Sequence, residues 1–75
     1  MKIDICLPSG RVIHYEVDPK ETIFSLKKRF EVESKIDPKV SALIYNDRLL
    51  DDNDTIDSYN LKDNSLLISS ILWLD

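Results

Sequence analysis

Thr22-Ile23-Phe24-Ser25-Leu26-Lys27-Lys28-Arg29-Phe30 is the one run in this chain whose apolar residues follow a helical rather than a strand period. Ile23, Leu26 and Phe30 fall at i, i+3 and i+7, so they line one face of a helix of 3.6 residues per turn. Thr22 stands just before them, where its hydroxyl oxygen can accept from a free amide of the first turn. The helix is expected to run to about Ser34. Ile36-Asp37-Pro38 ends it, because a proline ring crowds the preceding residue out of the α region. Phe24 lies off the apolar stripe and is expected to be partly exposed. Lys27-Lys28-Arg29 is the densest basic run of the chain and reads as a solvated helix face.

Working outward from this helix, every other segment alternates. Lys2-Ile3-Asp4-Ile5-Cys6-Leu7 has the period of a half-buried strand, and Arg11 to Val17 resumes it with Ile13, Tyr15 and Val17 on one face. Between them lies Pro8-Ser9-Gly10-Arg11, with the only glycine of the chain, a residue that takes positive φ at no Cβ cost. This is a β-hairpin. After Pro38, Ala42-Leu43-Ile44-Tyr45 and Arg48-Leu49-Leu50 read as two short strands joined by Asn46-Asp47, since asparagine tolerates left-handed backbone. Asp51 to Asn60 is polar and turn-rich, with Ile56 and Tyr59 as inward anchors. Leu61 precedes a turn at Lys62-Asp63-Asn64-Ser65, and Leu66 to Leu74 reads as a last strand. The expected fold class is α+β, one domain over residues 1–75: a four- to five-stranded mixed sheet with one helix packed across one face. The last strand would lie beside the first.

Composition narrows the function classes. Hydrophobic residues make up 43% and charged residues 32%, a globular balance. The net charge of −4 comes with scattered acids (Asp47, Asp51, Asp52, Asp54, Asp57 and Asp63), which speaks against nucleic acid, whose binding needs a concentrated basic stripe. Cys6 is the only cysteine, so no internal disulfide forms, and a small unstapled domain suits cytosol or nucleus. The opening Met-Lys-Ile-Asp-Ile is too short and charged for a secretory signal. Leu66 to Leu74 is broken by Ser69 and Ser70 and falls far short of a membrane span. Cys6 has no clustered ligands for a metal, and Asp51, Asp52 and Asp54 lack the alternating oxygens and glycine of a calcium loop. Cys6 and His14 face the same exposed side of the hairpin without an orienting third group, so neither catalysis nor a cofactor is expected. His14 reads as a plain surface histidine.

The landmarks together resemble the ubiquitin-like family over essentially the whole chain, without a gap. Met1-x-Ile3, the Gly10 hairpin, Glu16-Val17-x-Pro19, Thr22-Ile23 and Ile36-x-Pro38 stand in register with it. So do Leu43-Ile44-Tyr45, Leu50, Asp52, Thr55, Tyr59-Asn60, Ser65 and Leu67. The resemblance implies a β-grasp roll with a short 3₁₀ turn near Ile56 to Tyr59. It also implies a core of Ile3, Ile5, Ile13, Tyr15, Val17, Ile23, Leu26, Phe30, Leu43, Leu50, Ile56, Leu61 and Leu67. There are departures. Conjugated members end in Gly-Gly preceded by arginines, whereas this chain reads Ile71-Leu72-Trp73-Leu74-Asp75. Of the family's chain-extension lysines only Lys27 is kept, with Arg11, Arg29 and Arg48 at others. The glycine that usually follows the helix is Lys35.

The family docks partners on the sheet face away from the helix. Carried over, that site comprises Pro8, Ile44, Ile68 and Ser70, with Arg48 at its rim. Gap-free alignment of the last strand turns Leu67 and Ser69 inward; a slip of one residue would instead bury Leu66 and Ile68 and remove Ile68 from the site. A second candidate surface is Ile36, Ile71 and Trp73, where the tryptophan either anchors a partner or folds back over the sheet edge. The resemblance implies a monomeric, non-conjugated interaction module, the N-terminal domain of a larger protein of the ubiquitin–proteasome system. Its partners would be proteins: ubiquitin-binding helices or proteasome receptors. The alternatives are a covalent modifier whose precursor continues past Asp75, or a glycine-less modifier acting noncovalently.

Overall fold

Thr22 opens the helix as its chemistry dictates: its backbone is extended (φ −80°, ψ 158°), and its Oγ1 accepts from the Ser25 amide at 3.1 Å. Helix α1 spans Ile23–Ser34 in a computed structural model that describes residues 1–72. Around it run β1 (Lys2–Cys6), β2 (Val12–Glu16), β3 (Ser41–Tyr45), β4 (Arg48–Leu49) and β5 (Ser65–Ile71). A 3₁₀ turn at Ile56–Tyr59 lies where the resemblance places it. The strands form one mixed sheet in the order β2-β1-β5-β3-β4, with β5 parallel to β1 and antiparallel to β3. This is the expected β-grasp roll, with five strands where four to five were expected.

The helix stripe closes on the inward side of the sheet. Ile23, Leu26 and Phe30 join Ile3, Ile5, Val17, Leu43, Leu50, Ile56, Leu61 and Leu67 in one buried cluster. Ile13 and Tyr15, expected in this core, are only half-buried at its edge, because β2 is the outermost strand and has a neighbour on one side alone. Tyr15 meets Phe30 edge-on, with centroids 6.3 Å apart, and the Arg29 guanidinium lies 5.6 Å from the Tyr15 ring.

β5 adopts the gap-free register. Ile5 pairs with Leu67 and Leu43 with Ser69, so Leu67 and Ser69 are buried while Leu66 and Ile68 point away from the helix. The strand stops at Ile71, short of the expected Leu74, and Trp73, Leu74 and Asp75 lie outside the described residues. At Asn46-Asp47 both residues are left-handed (φ 56° and 63°), the backbone of a two-residue hairpin turn whose twist matches that of the strands.

One basic residue departs from the expected solvated face. Lys27 follows Ile23 by four residues and precedes Phe30 by three, so it flanks the core stripe. The segment after β4 covers it: Nζ lies 2.6 Å from Asp52 Oδ1, and only 5% of the Lys27 side chain is exposed. The same segment supplies partners for helix-end amides. The Asp54 carbonyl accepts from Ile23 at 2.9 Å and the Asp52 carbonyl from Phe24 at 3.1 Å, while Ile56 donates back to Glu21 at 2.9 Å. These bonds satisfy donors that a helix start leaves free.

Lys35 ends the helix with φ 63°, its amide donating to the Glu31 carbonyl at 2.8 Å. A β-carbon in this region costs about 1 kcal/mol relative to glycine. Lys35→Gly is therefore expected to raise the unfolding free energy by ~0.5–1 kcal/mol, read as a higher urea midpoint at unchanged slope. Asp52→Asn leaves the Lys27 ammonium buried beside a neutral amide. Because Asp52 is 40% exposed, the loss should be about 2 kcal/mol, below the ~3–5 kcal/mol of a fully buried pair. Lys27→Met in the same background should recover most of it.

Candidate functional site

Strand pairing determines which side chains share the sheet face opposite the helix, because directly paired residues point the same way. Val12 pairs with Cys6, Cys6 with Ile68, Ile68 with Ile44 and Ile44 with Leu49. An unbroken apolar row therefore crosses all five strands. Ile68 is 46% exposed and Leu49 57%; Cys6 and Ile44 are half-buried, and Leu66 extends the row beside Ile68 with 47% exposure. Exposed apolar side chains scattered singly carry no message, but a contiguous set does.

Of the expected site residues, Ile44 and Ile68 are direct cross-strand neighbours in this row. Ser70 lies next along β5 on the same face, half-buried and paired with the buried Ala42. Pro8 is exposed in the β1–β2 turn, where Leu7 and Arg11 close the loop through a 2.8 Å bond and Gly10 takes φ 94°. Arg48 is not on this face. It pairs with Tyr45 on the opposite side of the edge strand, and its guanidinium lies 5.7 Å from the Tyr59 ring. Of the second surface, Ile36 is half-buried against the core and Ile71 is exposed at the end of β5, while Trp73 lies outside the described residues.

Val12, Cys6, Leu49 and Leu66 were not among the expected site residues. Their signal was available in part. Counting back from a two-residue turn at Asn46-Asp47 sets Leu49 opposite Ile44, and alternation along the first hairpin sends Cys6 outward.

Beside the row, His14 Nδ1 lies 2.6 Å from Asp4 Oδ1 across the β1–β2 pair. Asp4 is thus the orienting group that the sequence did not disclose. The Cys6 Sγ instead contacts its neighbour's carbonyl, Leu7 O, at 3.5 Å, and no hydrogen bond joins it to His14 among the described residues. Nor do the described residues hold three His, Cys, Asp or Glu side chains grouped for a metal.

Around the β4 edge, Tyr45, Asn46, Arg48, Tyr59, Asn60 and Lys62 line an open depression of about 340 Å³. Its floor is braced: the Tyr59 hydroxyl accepts from the Asp51 amide at 2.8 Å and donates to Asp54 Oδ2 at 2.7 Å. Burial, then the hydrogen bond donated to Asp54, holds the Tyr59 phenol above its ordinary value of 10.0. The folded state thus keeps this proton after the unfolded chain has lost it. The associated stability is complete below pH 10 and drains away as pH rises through the folded value. Burial raises Tyr15 in the same direction, so phenolate absorbance should show two tyrosines titrating late. Tyr59→Phe should leave one of them and lessen the alkaline fall in stability; an unaltered fall would place its source elsewhere.

Comparison with known proteins covers nearly all of this structure. Residues 3–71 match the ubiquitin family. The chain is 28% identical over 71 residues to Protein DNA-DAMAGE INDUCIBLE 1 of Arabidopsis thaliana, covering 95% of this chain and 17% of that protein. It is 30% identical over 67 residues to Ubiquitin-like protein 1 of Schizosaccharomyces pombe, covering 89% of this chain and 86% of that one.

Proposed function

The chain belongs to the ubiquitin family, and on that premise we propose that it is a non-conjugated protein-interaction module that docks partners on the helix-free face of its sheet. One observation carries this proposal: the continuous row Val12–Cys6–Ile68–Ile44–Leu49, with Leu66 beside it. A rigid sheet presents these side chains at fixed spacing, so little ordering entropy opposes association. The complementary partner is an amphipathic helix laying its apolar face across the row, as ubiquitin-binding helices do. The domain acts as a monomer and contributes no chemistry of its own. Cytosol or nucleus suits its single thiol and unstapled core.

The Arabidopsis relative, of which the chain spans 17%, favours a module within a longer protein of the ubiquitin–proteasome system. The fission-yeast relative, matched over 86% of its length, favours a second reading as a small modifier, either covalent or acting noncovalently. Leu72 and Leu74 stand where conjugated members carry arginines, which speaks for the first. Denaturing blots of the tagged full-length protein from its own cells separate the covalent modifier from the rest: a ladder of isopeptide adducts supports it and counts against the non-conjugated module.

Titration of the isotope-labelled domain with a panel of ubiquitin-interacting helices is expected to shift the amides of Ile44, Leu49, Leu66 and Ile68 together. Ile44→Ala should weaken that binding at least tenfold, about 1.4 kcal/mol. If none of several such helices perturbs this face, the docking role is wrong.

A further inference from the structure

The depression around the β4 edge has a chemistry that sets it apart from the rest of the surface. The chain carries 14 acidic and 10 basic residues, yet none of the six residues lining the depression is acidic and two are cationic. Four other cations are matched: Lys20 with Asp57, Lys27 with Asp52, Arg29 with Glu21 and Arg11 with Glu33. Lys2 shares its own depression with Asp4 and Glu16, and Lys28, Lys35 and Lys39 line neither depression. Arg48 and Lys62 make no ion pair among the described residues. Arg48 is held over the Tyr59 ring, and that ring is itself fixed by the bonds to Asp51 and Asp54. Those bonds also turn the carboxylate of Asp54 toward the phenol. The side-chain amides of Asn46 and Asn60, both on left-handed residues, add neutral donors to the rim.

From this we propose that the depression is a carboxylate subsite, taking an acidic side chain of the same peptide that covers the apolar row. The idea rests on the docking role argued above and adds the partner's chemistry to it. Arg48 and Leu49 are consecutive on the two-residue edge strand and point to opposite sides of it. A segment leaving the row over Leu49 has only to round this short edge to set an aspartate or glutamate between Arg48 and Lys62. Among the described residues no strand lies beyond β4 in the sheet order to obstruct that path. A planar guanidinium pre-set on an aromatic face loses little freedom on binding a carboxylate, and its fork of N–H groups donates to both carboxylate oxygens side-on. Specificity then has two parts: apolar residues select for the row, and a flanking acid selects for the edge.

Two titrations of the isotope-labelled domain test this. In the first the probe is acetylated tetraglutamate amide, with tetraglutamine as its neutral counterpart. The tetraglutamate should shift Tyr45, Arg48, Asn60 and Lys62 and the tetraglutamine should not, and the shifts should vanish in Arg48→Glu/Lys62→Glu. Shifts centred instead on Lys28, Lys35 or Lys39, or unaffected by the double reversal, would overturn the subsite. In the second, one ubiquitin-interacting helix is compared with a glutamate or a glutamine flank. The acidic flank should bind about fivefold tighter, the gain expected of two exposed charge pairs, and Arg48→Gln/Lys62→Gln should abolish the difference. Equal affinity for the two flanks, with Ile44 still responding, would defeat the subsite alone; silence at Ile44 would defeat the docking face itself. Thermal melts of each variant check that the fold is retained.

Discussion

The parallel pairing of β1 with β5 is the constraint on which the other features rest. It joins segments some sixty residues apart in sequence, Ile3 opposite Ser65 and Cys6 opposite Ile68, and so places the first hairpin and the β3–β4 hairpin in one sheet. Parallel neighbours cannot be joined by a tight turn, so the chain between them has to cross over, and α1 is that crossover's main element. Core and outer face follow from the same register. Ile5 and Leu67 meet beneath the helix, and one residue further on Cys6 and Ile68 meet on the open side. Shifting β5 by one residue would exchange these sets and remove both core and row together.

The segment between β4 and the 3₁₀ turn has almost no regular structure, yet beyond the buried Leu50 it is anchored by backbone rather than by apolar side chains. Its carbonyls close the first amides of α1, and Ile56 and Asp57 return bonds to Glu21 and Pro19. Such a segment is held in place by polar groups that would otherwise be left without partners at a helix start. Asp52 adds the counter-charge that makes Lys27 tolerable beside the core.

Much of this was legible in the residues. Period set α1, alternation set the first hairpin, and Asn46-Asp47 marked the second. The collinear landmarks supplied the strand order that periodicity cannot give. Other features escaped because they depend on contacts distant in sequence. Lys27 looks like any surface lysine until a loop from beyond β4 folds over it. Ser69 looks like an unsuitable core residue, and it is one: it is buried, and its hydroxyl finds no partner among the described residues. Burial of the neighbouring Leu67, worth about 1.5–3 kcal/mol, offsets the roughly 1–3 kcal/mol that an unpaired hydroxyl costs. Tyr15 was expected inside because its alternation is right, but alternation cannot tell an edge strand from a central one. In the candidate docking face, Ile44 and Ile68 were named from the resemblance, whereas Val12, Cys6 and Leu49, legible in part from alternation and the turn, join them in one row only when pairing across five strands is known. Arg48 was placed at the rim, and the parity of a two-residue strand instead puts it round the edge.

The seal over Lys27 has a consequence for the chemistry of chain building. An amine can attack a thioester only if it swings clear of its neighbours and approaches the carbonyl carbon along an open trajectory. This one is packed against the core and clamped to Asp52 at 2.6 Å. Reaching a loaded enzyme would require peeling the 51–57 segment from the helix and breaking the backbone hydrogen bonds that hold it. The single lysine retained at a chain-extension position is thus withheld as an acceptor for as long as the domain stays folded.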